Sequence, residues 1–252
     1  MPYATLEAVD RTYGIATNAD GKAKIVGDAK LLNQRFIVSS IGYTTDTVLL
    51  RTNPKNDTAK IFLAPKTYLL NEAVFLQSKE SREILAGVIS NRPAGYAGSY
   101  FQSALYFPND NLRGQIISVS YFISSKGFPE APFRVRIYAS QADTVFPAED
   151  ILPVSLVVRA GKKGWFTVDV KEYQIAIPEN GFFVSFEAIS GKDEIYNDQG
   201  ILGPTLGLSK KHPYRHNWIY YLKEGHGWSL SPPLADFDFH LNPMIRATLR
   251  VD

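Results

Sequence analysis

The sequence predicts an all-β protein of two parts, the second a jelly-roll-like β-sandwich. Three observations carry this. Aromatic residues make up 13% of the 252 residues, and 18 glycines and 15 prolines cut the chain into short segments, a mixture that favours sheets. Apolar and polar residues alternate with a period of two in many of those segments. No segment combines helical length with helical spacing.

Near the start, Ala4, Leu6 and Ala8 point one way and Thr5, Glu7 and Val9 the other, as in a strand with two unlike faces. "YGIATNADGKAKIV" (residues 13–26) then reads as strand, turn, strand. Asn18 and Asp20 hydrogen-bond their own backbone in such turns and Gly21 accepts positive φ, so the flanks are expected to pair with each other. "QRFIVSSIGYTTDTVLL" supplies two strands around Gly42, and "AKIFLAPKTYLLNEAVF" a short strand ending at Pro65 and a further extended run. Residues 1–76 form the first expected domain.

In "LQSKESREILAGVISNRPAGYAGSYF", Ser78 is positioned to cap a short helix reaching Leu85 before Gly and Pro interrupt it. Residues 77–98 are therefore expected to be a linker, and 99–252 the second domain. Nine strand candidates follow: "QSALYF", "QIISVSYFIS", "FRVRIYAS", "VSLVVRA", "GWFTVDV", "GFFVSFEAI", "NWIYYLK", "DFDFHL" and "MIRATLRV". Loops rich in Pro, Gly, Asn and Asp separate them, the spacing of a two-sheet sandwich.

Composition narrows function. A net charge of +2, from 27 basic and 25 acidic residues, is too small for the dense phosphate contacts of a nucleic-acid binder. The absence of cysteine rules out disulfides, thiolate metal sites and a cysteine nucleophile. No apolar run approaches a membrane span, and "MPYATLEAVD" lacks the regions of a signal peptide. No Walker, Rossmann, Gly-x-Ser-x-Gly or His-Glu-x-x-His motif occurs, so no cofactor is implied.

Four stretches in order resemble the carboxypeptidase regulatory-like domain, which implies a transthyretin-like Greek-key sandwich of the family's seven-stranded kind for the first domain. They are "PYATLEA" (2–8), "GIATNADGKAKI" (14–25), "FIVSSIGYTT" (36–45) and "IFLAPKTYLLNEAVF" (61–75). Ala23 stands where the family has an aromatic core residue. Family members also carry a strand before Pro-Tyr-Ala, whereas Met1 directly precedes Pro2 here, so a first strand and a signal segment are expected upstream. "GFPEAPFRVRIYA" (127–139), "GWFTVDVKEYQIAIPENGFFVSFEAI" (164–189) and "NPMIRATL" (242–249) resemble the sandwich that follows this module in Gram-negative gut-type bacteria. The resemblance implies a non-catalytic accessory module in the periplasm or at the outer-membrane surface; the second sandwich is expected to bind a glycan or an envelope protein, with a purely structural scaffold as an alternative.

Candidate site residues are few. Tyr214, Trp218, Tyr220, Tyr221 and Trp228 concentrate aromatic rings beside His and Lys, a platform suited to the CH faces of sugars, or else alternate residues of a strand filling a core. In "DFDFH" the period of two puts Asp236, Asp238 and His240 on one face. Those three are the weak candidates for a metal-assisted hydrolase, against a solvated face opposite Phe237 and Phe239. His212 and His216 are four apart, but Pro213 removes the helical face that would make the spacing meaningful, and His226 has no evident partner. Asn18 and Asp20 lack the remaining ligands of a calcium loop, with Ala16 and Gly27 at the positions that matter. Asp46-Thr47-Val48, Asp57-Thr58-Ala59 and Asp143-Thr144-Val145 resemble the periplasmic O-glycosylation acceptor, with Thr58 in the most exposed setting.

Overall fold

The computed structural model describes residues 1–10, 13–25, 31–51, 58–66, 81–88, 90, 92–93, 95–97, 101–189, 203–210, 217–221, 228–230 and 241–252. In the first part lie β1 (Thr5–Ala8), β2 (Gly14–Ala16), β3 (Arg35–Ser39) and β4 (Asp46–Leu49), in an antiparallel sheet of order β2-β1-β3-β4. Its core is Leu6, Ala8, Phe36, Val38 and Leu63, the inward-facing set of the alternation. The Asn18 turn forms as expected. Asn18 Oδ1 accepts from the amides of Asp20 at 3.0 Å and Lys22 at 2.9 Å, and Gly21 takes φ +73°. The expected pairing of its flanks does not follow. β2 pairs with β1, Leu6 opposite Ile15, while residues 22–25 form no strand. The buried Leu6 and Ala8 already offer a matching edge, so the sheet takes β2 in that register.

The second part holds β5 (Arg82–Gly87), β6 (Gly95–Ala97), β7 (Phe101–Phe107), β8 (Gly114–Ile123), β9 (Phe133–Ser140), β10 (Pro147–Asp150), β11 (Leu156–Val158), β12 (Gly164–Asp169), β13 (Phe182–Ala188), β14 (Leu206–Ser209), β15 (Asn217–Tyr221), β16 (Trp228–Leu230), β17 (Asn242–Pro243) and β18 (Ile245–Val251). The front sheet runs β10-β9-β13-β7-β15-β16 with β11 also on β9; the back sheet runs β17-β14-β8-β18-β5, with β12 on β8 and β6 on β14. The short helix expected to reach Leu85 is a strand instead. β5 pairs with β18 from Arg82↔Val251 to Gly87↔Arg246, so part of the expected linker belongs to the back sheet. Its Ile84 and Ala86 pack on the sandwich core, and that pairing overrides a weak local helix signal.

The core between the sheets comes from alternate residues. Phe133, Val135 and Ile137 of β9, Phe182, Val184 and Phe186 of β13, and Leu105 and Phe107 of β7 face Val119, Tyr121 and Ile123 of β8 and Ile245, Ala247 and Leu249 of β18. Phe133 and Phe186 stack at 4.7 Å, and the Tyr121 hydroxyl donates to the Ser185 carbonyl at 3.0 Å, so this one core phenol is hydrogen-bonded. Among the described residues no helix is long and apolar enough to cross a membrane.

Candidate functional site

β18 shows the alternation of a strand with one solvated face, whereas β13 is buried at every position, including Glu187. A charged residue inside a strand covered on both faces requires partners. Register supplies them. On the outer face of the front sheet Glu187 stands opposite Arg134 and Gln102, Ser185 opposite Arg136 and Ala104, and Phe183 opposite Tyr138 and Tyr106.

Arg134 Nη1 lies 3.3 Å from Glu187 Oε1, and both side chains are 2% exposed. Arg136 Nε donates to Glu187 Oε2 at 2.6 Å, and Arg136 Nη1 to Asp150 Oδ2 at 3.0 Å. Arg134 Nη2 donates to the carbonyl of Tyr3 in the first part of the chain. That segment is held in turn by the amide of Tyr3 on the Asn18 carbonyl and by Thr17, whose hydroxyl donates to the Met1 carbonyl and accepts from the Ala4 amide. Gln102 Nε2 donates to the Tyr138 hydroxyl at 2.6 Å beside the quartet. Two guanidiniums and two carboxylates balance, which is the condition under which buried charges are tolerated.

The two acids respond differently. Burial pushes the Glu187 carboxyl up, but Arg136 and Arg134 together outweigh it and hold the group below the ordinary glutamate range. Burial also pushes Asp150 up, and there Arg136 and the Leu152 amide offset only part of the penalty, so its carboxyl sits above the ordinary range. Among the described residues, Ser185 Oγ and Arg134 Nε are buried with no hydrogen-bond partner. Apart from those two atoms the buried polar groups are bonded to one another, and their chemistry is that of a closed joint.

Uncommitted polar groups gather at one end of the sandwich. A cleft of about 290 Å³ is lined by Tyr106 and Asn109 after β7, by the β9–β10 loop with Gln141, Asp143, Thr144 and Val145, and by Glu179 and Asn180 before β13. Tyr106 is fixed by a tilted contact with Phe183 at 5.0 Å and by its hydroxyl donating to the Asn180 carbonyl at 3.0 Å. Asn109 is fixed by donating to the Pro178 carbonyl and accepting from the Leu112 amide. The side chains of Gln141, Asp143, Thr144 and Glu179 are exposed and make no hydrogen bond or ion pair among the described residues. Val145 is 46% exposed and adds an apolar lip.

Of the residues singled out from sequence, Asp143, Thr144 and Val145 line the cleft, and the other described ones fall elsewhere. Trp228 is half-buried and meets Tyr138 edge-on at 5.5 Å, so its ring belongs to the cluster of Ala104, Tyr138 and Phe183. Trp218, Tyr220 and Tyr221 lie in β15, with backbones opposite Ala104, Gln102 and Phe101. Tyr214, Asp236, Asp238, His240, His212, His216 and His226 lie outside the described residues. Thr58 is exposed. Among the described residues no three His, Asp or Glu side chains cluster as metal ligands. The ion quartet escaped sequence reading, although Arg134 and Arg136 alternating with Phe133, Val135 and Ile137 signalled a charged face on that strand. Beyond polar loops, the cleft's sequence signal is the Asp143-Thr144-Val145 triplet, which resembles an O-glycosylation acceptor.

No protein-family model matches the chain, and no curated protein matches it in sequence. Among solved structures, the cysteine protease and lectin-like domains of Cwp84, a surface layer associated protein of Clostridium difficile, align at 13% identity and a TM-score of 0.48, over 68% of this chain and 36% of theirs. Clostridial Cwp84 after propeptide cleavage aligns at 13% identity and 0.46, over 68% of this chain and 40% of its own. The particle of infectious bursal virus aligns at 7% identity and a TM-score of 0.26, over 99% of this chain and 59% of its own. The chain thus spans well under half the length of the two Cwp84 structures it resembles.

Proposed function

We propose that the protein is a non-enzymatic, cell-envelope binding protein whose second sandwich takes a sugar unit of a glycan in the cleft beside Tyr106. The envelope setting rests on the resemblance to the carboxypeptidase regulatory-like module. The observation that supports the binding reading is the division of polar groups. The buried charges are closed on one another, while Gln141, Asp143, Thr144 and Glu179 stand uncommitted around a fixed tyrosine.

Amide, hydroxyl and carboxylate groups around one aromatic ring are what a polyhydroxylated ring needs. Hydroxyls hydrogen-bond the polar groups, and the CH face packs on the ring. The volume, just below the usual lower bound for small-molecule sites, matches a single sugar unit. Asp143 and Glu179, with no lysine or arginine among the described lining residues, disfavour uronic, sialylated or sulfated sugars and favour neutral or amine-bearing ones.

The test is a glycan array carrying neutral, amine-bearing and anionic glycans, read with the wild type and the Gln141→Ala/Asp143→Ala variant. Both positions are exposed, so the variant keeps its fold. Binding to neutral or aminated glycans, lost in the variant, supports the reading. Binding to no glycan, or binding unaffected by the double substitution, removes it.

A further inference from the structure

We infer that Asp150, held by Arg136, is the positioning residue of the cleft's lip, fixing the 141–146 loop through the short strand β10. The inference rests on the cleft reading only for its effect on ligand affinity; its effect on the lip is independent.

β10 is a poorly bonded strand. Pro147 has no amide to donate, and the register shifts between Pro147 and Asp150, so the ladder to β9 holds at Pro147↔Ser140 and Asp150↔Tyr138 only. The loop closes through the Gln141 amide on the Phe146 carbonyl at 3.0 Å, and the strand's far end through the Ile151 amide on the Ile137 carbonyl at 2.7 Å. Asp150 compensates for the missing ladder with its side chain. Oδ1 accepts from the Leu152 amide at 3.1 Å, which turns the chain away from the strand, and Oδ2 accepts from Arg136 at 3.0 Å.

Arg136 is held on its other edge by Glu187, so β10 is tied through one guanidinium to the centre of the front sheet. The charged and titratable groups that face Asp150 are Arg134, Arg136 and Tyr138 from β9 and Glu187 from β13. The pin works through hydrogen-bond geometry. An amide of the same shape has one acceptor oxygen, so it keeps the contact from the Leu152 amide and loses the one from Arg136, whereas a methyl group loses both.

Hydrogen exchange on the full chain decides this. Asp150→Ala is expected to speed exchange at Gln141 and Ile151 about tenfold, from the loss of two side-chain hydrogen bonds, with the amides of β13 unchanged. Asp150→Asn, which keeps one of the two bonds, is expected to speed exchange at the same amides less, about threefold. Unchanged exchange at Gln141 in Asp150→Ala, or equal loss of protection in Asp150→Asn and Asp150→Ala, overturns the inference. If Asp150→Ala raises exchange throughout the sandwich, Arg136→Lys decides. Lysine cannot fork to Glu187 and Asp150 together, so a lip-specific increase supports the pin and its absence overturns it. A failed glycan array with a positive exchange result removes the cleft's ligand and leaves the pin in place.

Discussion

Replacing Arg136 with methionine removes the cation at the centre of the buried quartet while keeping most of the aliphatic stem. Glu187 then keeps Arg134 at 3.3 Å, but Asp150, 18% exposed, loses the one ion pair it makes among the described residues. Breaking a buried pair from one side costs about 3–5 kcal/mol, because the remaining charge stays in a low-dielectric site. The residual exposure of Asp150 and the retained Arg134 place the expected loss near the lower end, about 3 kcal/mol. For a sandwich of this size that corresponds to a fall in Tm of roughly 6–12 °C. The assay is chemical and thermal denaturation followed by tryptophan fluorescence. The Arg136→Met/Asp150→Asn variant restores charge balance, leaving Arg134 with Glu187, and is expected to recover about half of the loss. A single variant within about 1 kcal/mol of wild type, the cost typical of surface pairs, would refute the reasoning, as would a double variant less stable than the single one.

Three further outcomes follow from the packing and the titrations. Gly114→Ala is expected to cost more than about 2 kcal/mol, measured by urea denaturation, because Gly114 has φ +143° and an added Cβ overlaps the Arg250 carbonyl oxygen of β18. Glu187, whose carboxyl is held below the ordinary range, contributes stability present above the unfolded-state glutamate value and lost as pH falls through its lowered one. Acid unfolding driven by this group should therefore begin below pH of about 4, and Glu187→Gln should flatten that limb of the curve. Burial raises Tyr121 well above the ordinary phenol value, so its contribution is complete below pH of about 10 and lost as pH rises toward its folded value. Phenolate absorbance from Tyr121 should accordingly appear only as the chain opens, identified by difference from Tyr121→Phe.

The strands that carry the core were legible because their side chains alternate. "FRVRIYAS" corresponds to β9 as Phe133–Ser140, and "GFFVSFEAI" contains β13, Phe182–Ala188. Period two is a direct consequence of the pleat, so such strands can be read without tertiary knowledge. β5 was not legible, because "REILAG" has little alternation and becomes a strand only when β18 offers it an edge. β10 and β14 were also passed over, being four residues each with a proline or a glycine that local reading takes as loop. The turn at Asn18 was legible from its residues, but the partner of β2 was not, since register is chosen by the sheet. At the candidate sites, the ion quartet joins Arg134, Arg136, Asp150 and Glu187 across three strands, and no local spacing encodes such a cross-strand set. Trp228 stood out by composition, yet edge-on packing against Tyr138 makes it part of a hydrophobic cluster.

The central claim, that the second sandwich binds a glycan at the cleft beside Tyr106, is tested most directly by mapping amide chemical-shift changes on the full chain during titration with the top-ranked neutral glycan of the array. The account predicts saturable shifts confined to residues 106–109, 140–145 and 179–180, the three segments that line the cleft. Shifts centred on β15 and β16, Asn217–Tyr221 and Trp228–Leu230, would contradict it and place any ligand on the aromatic strands instead.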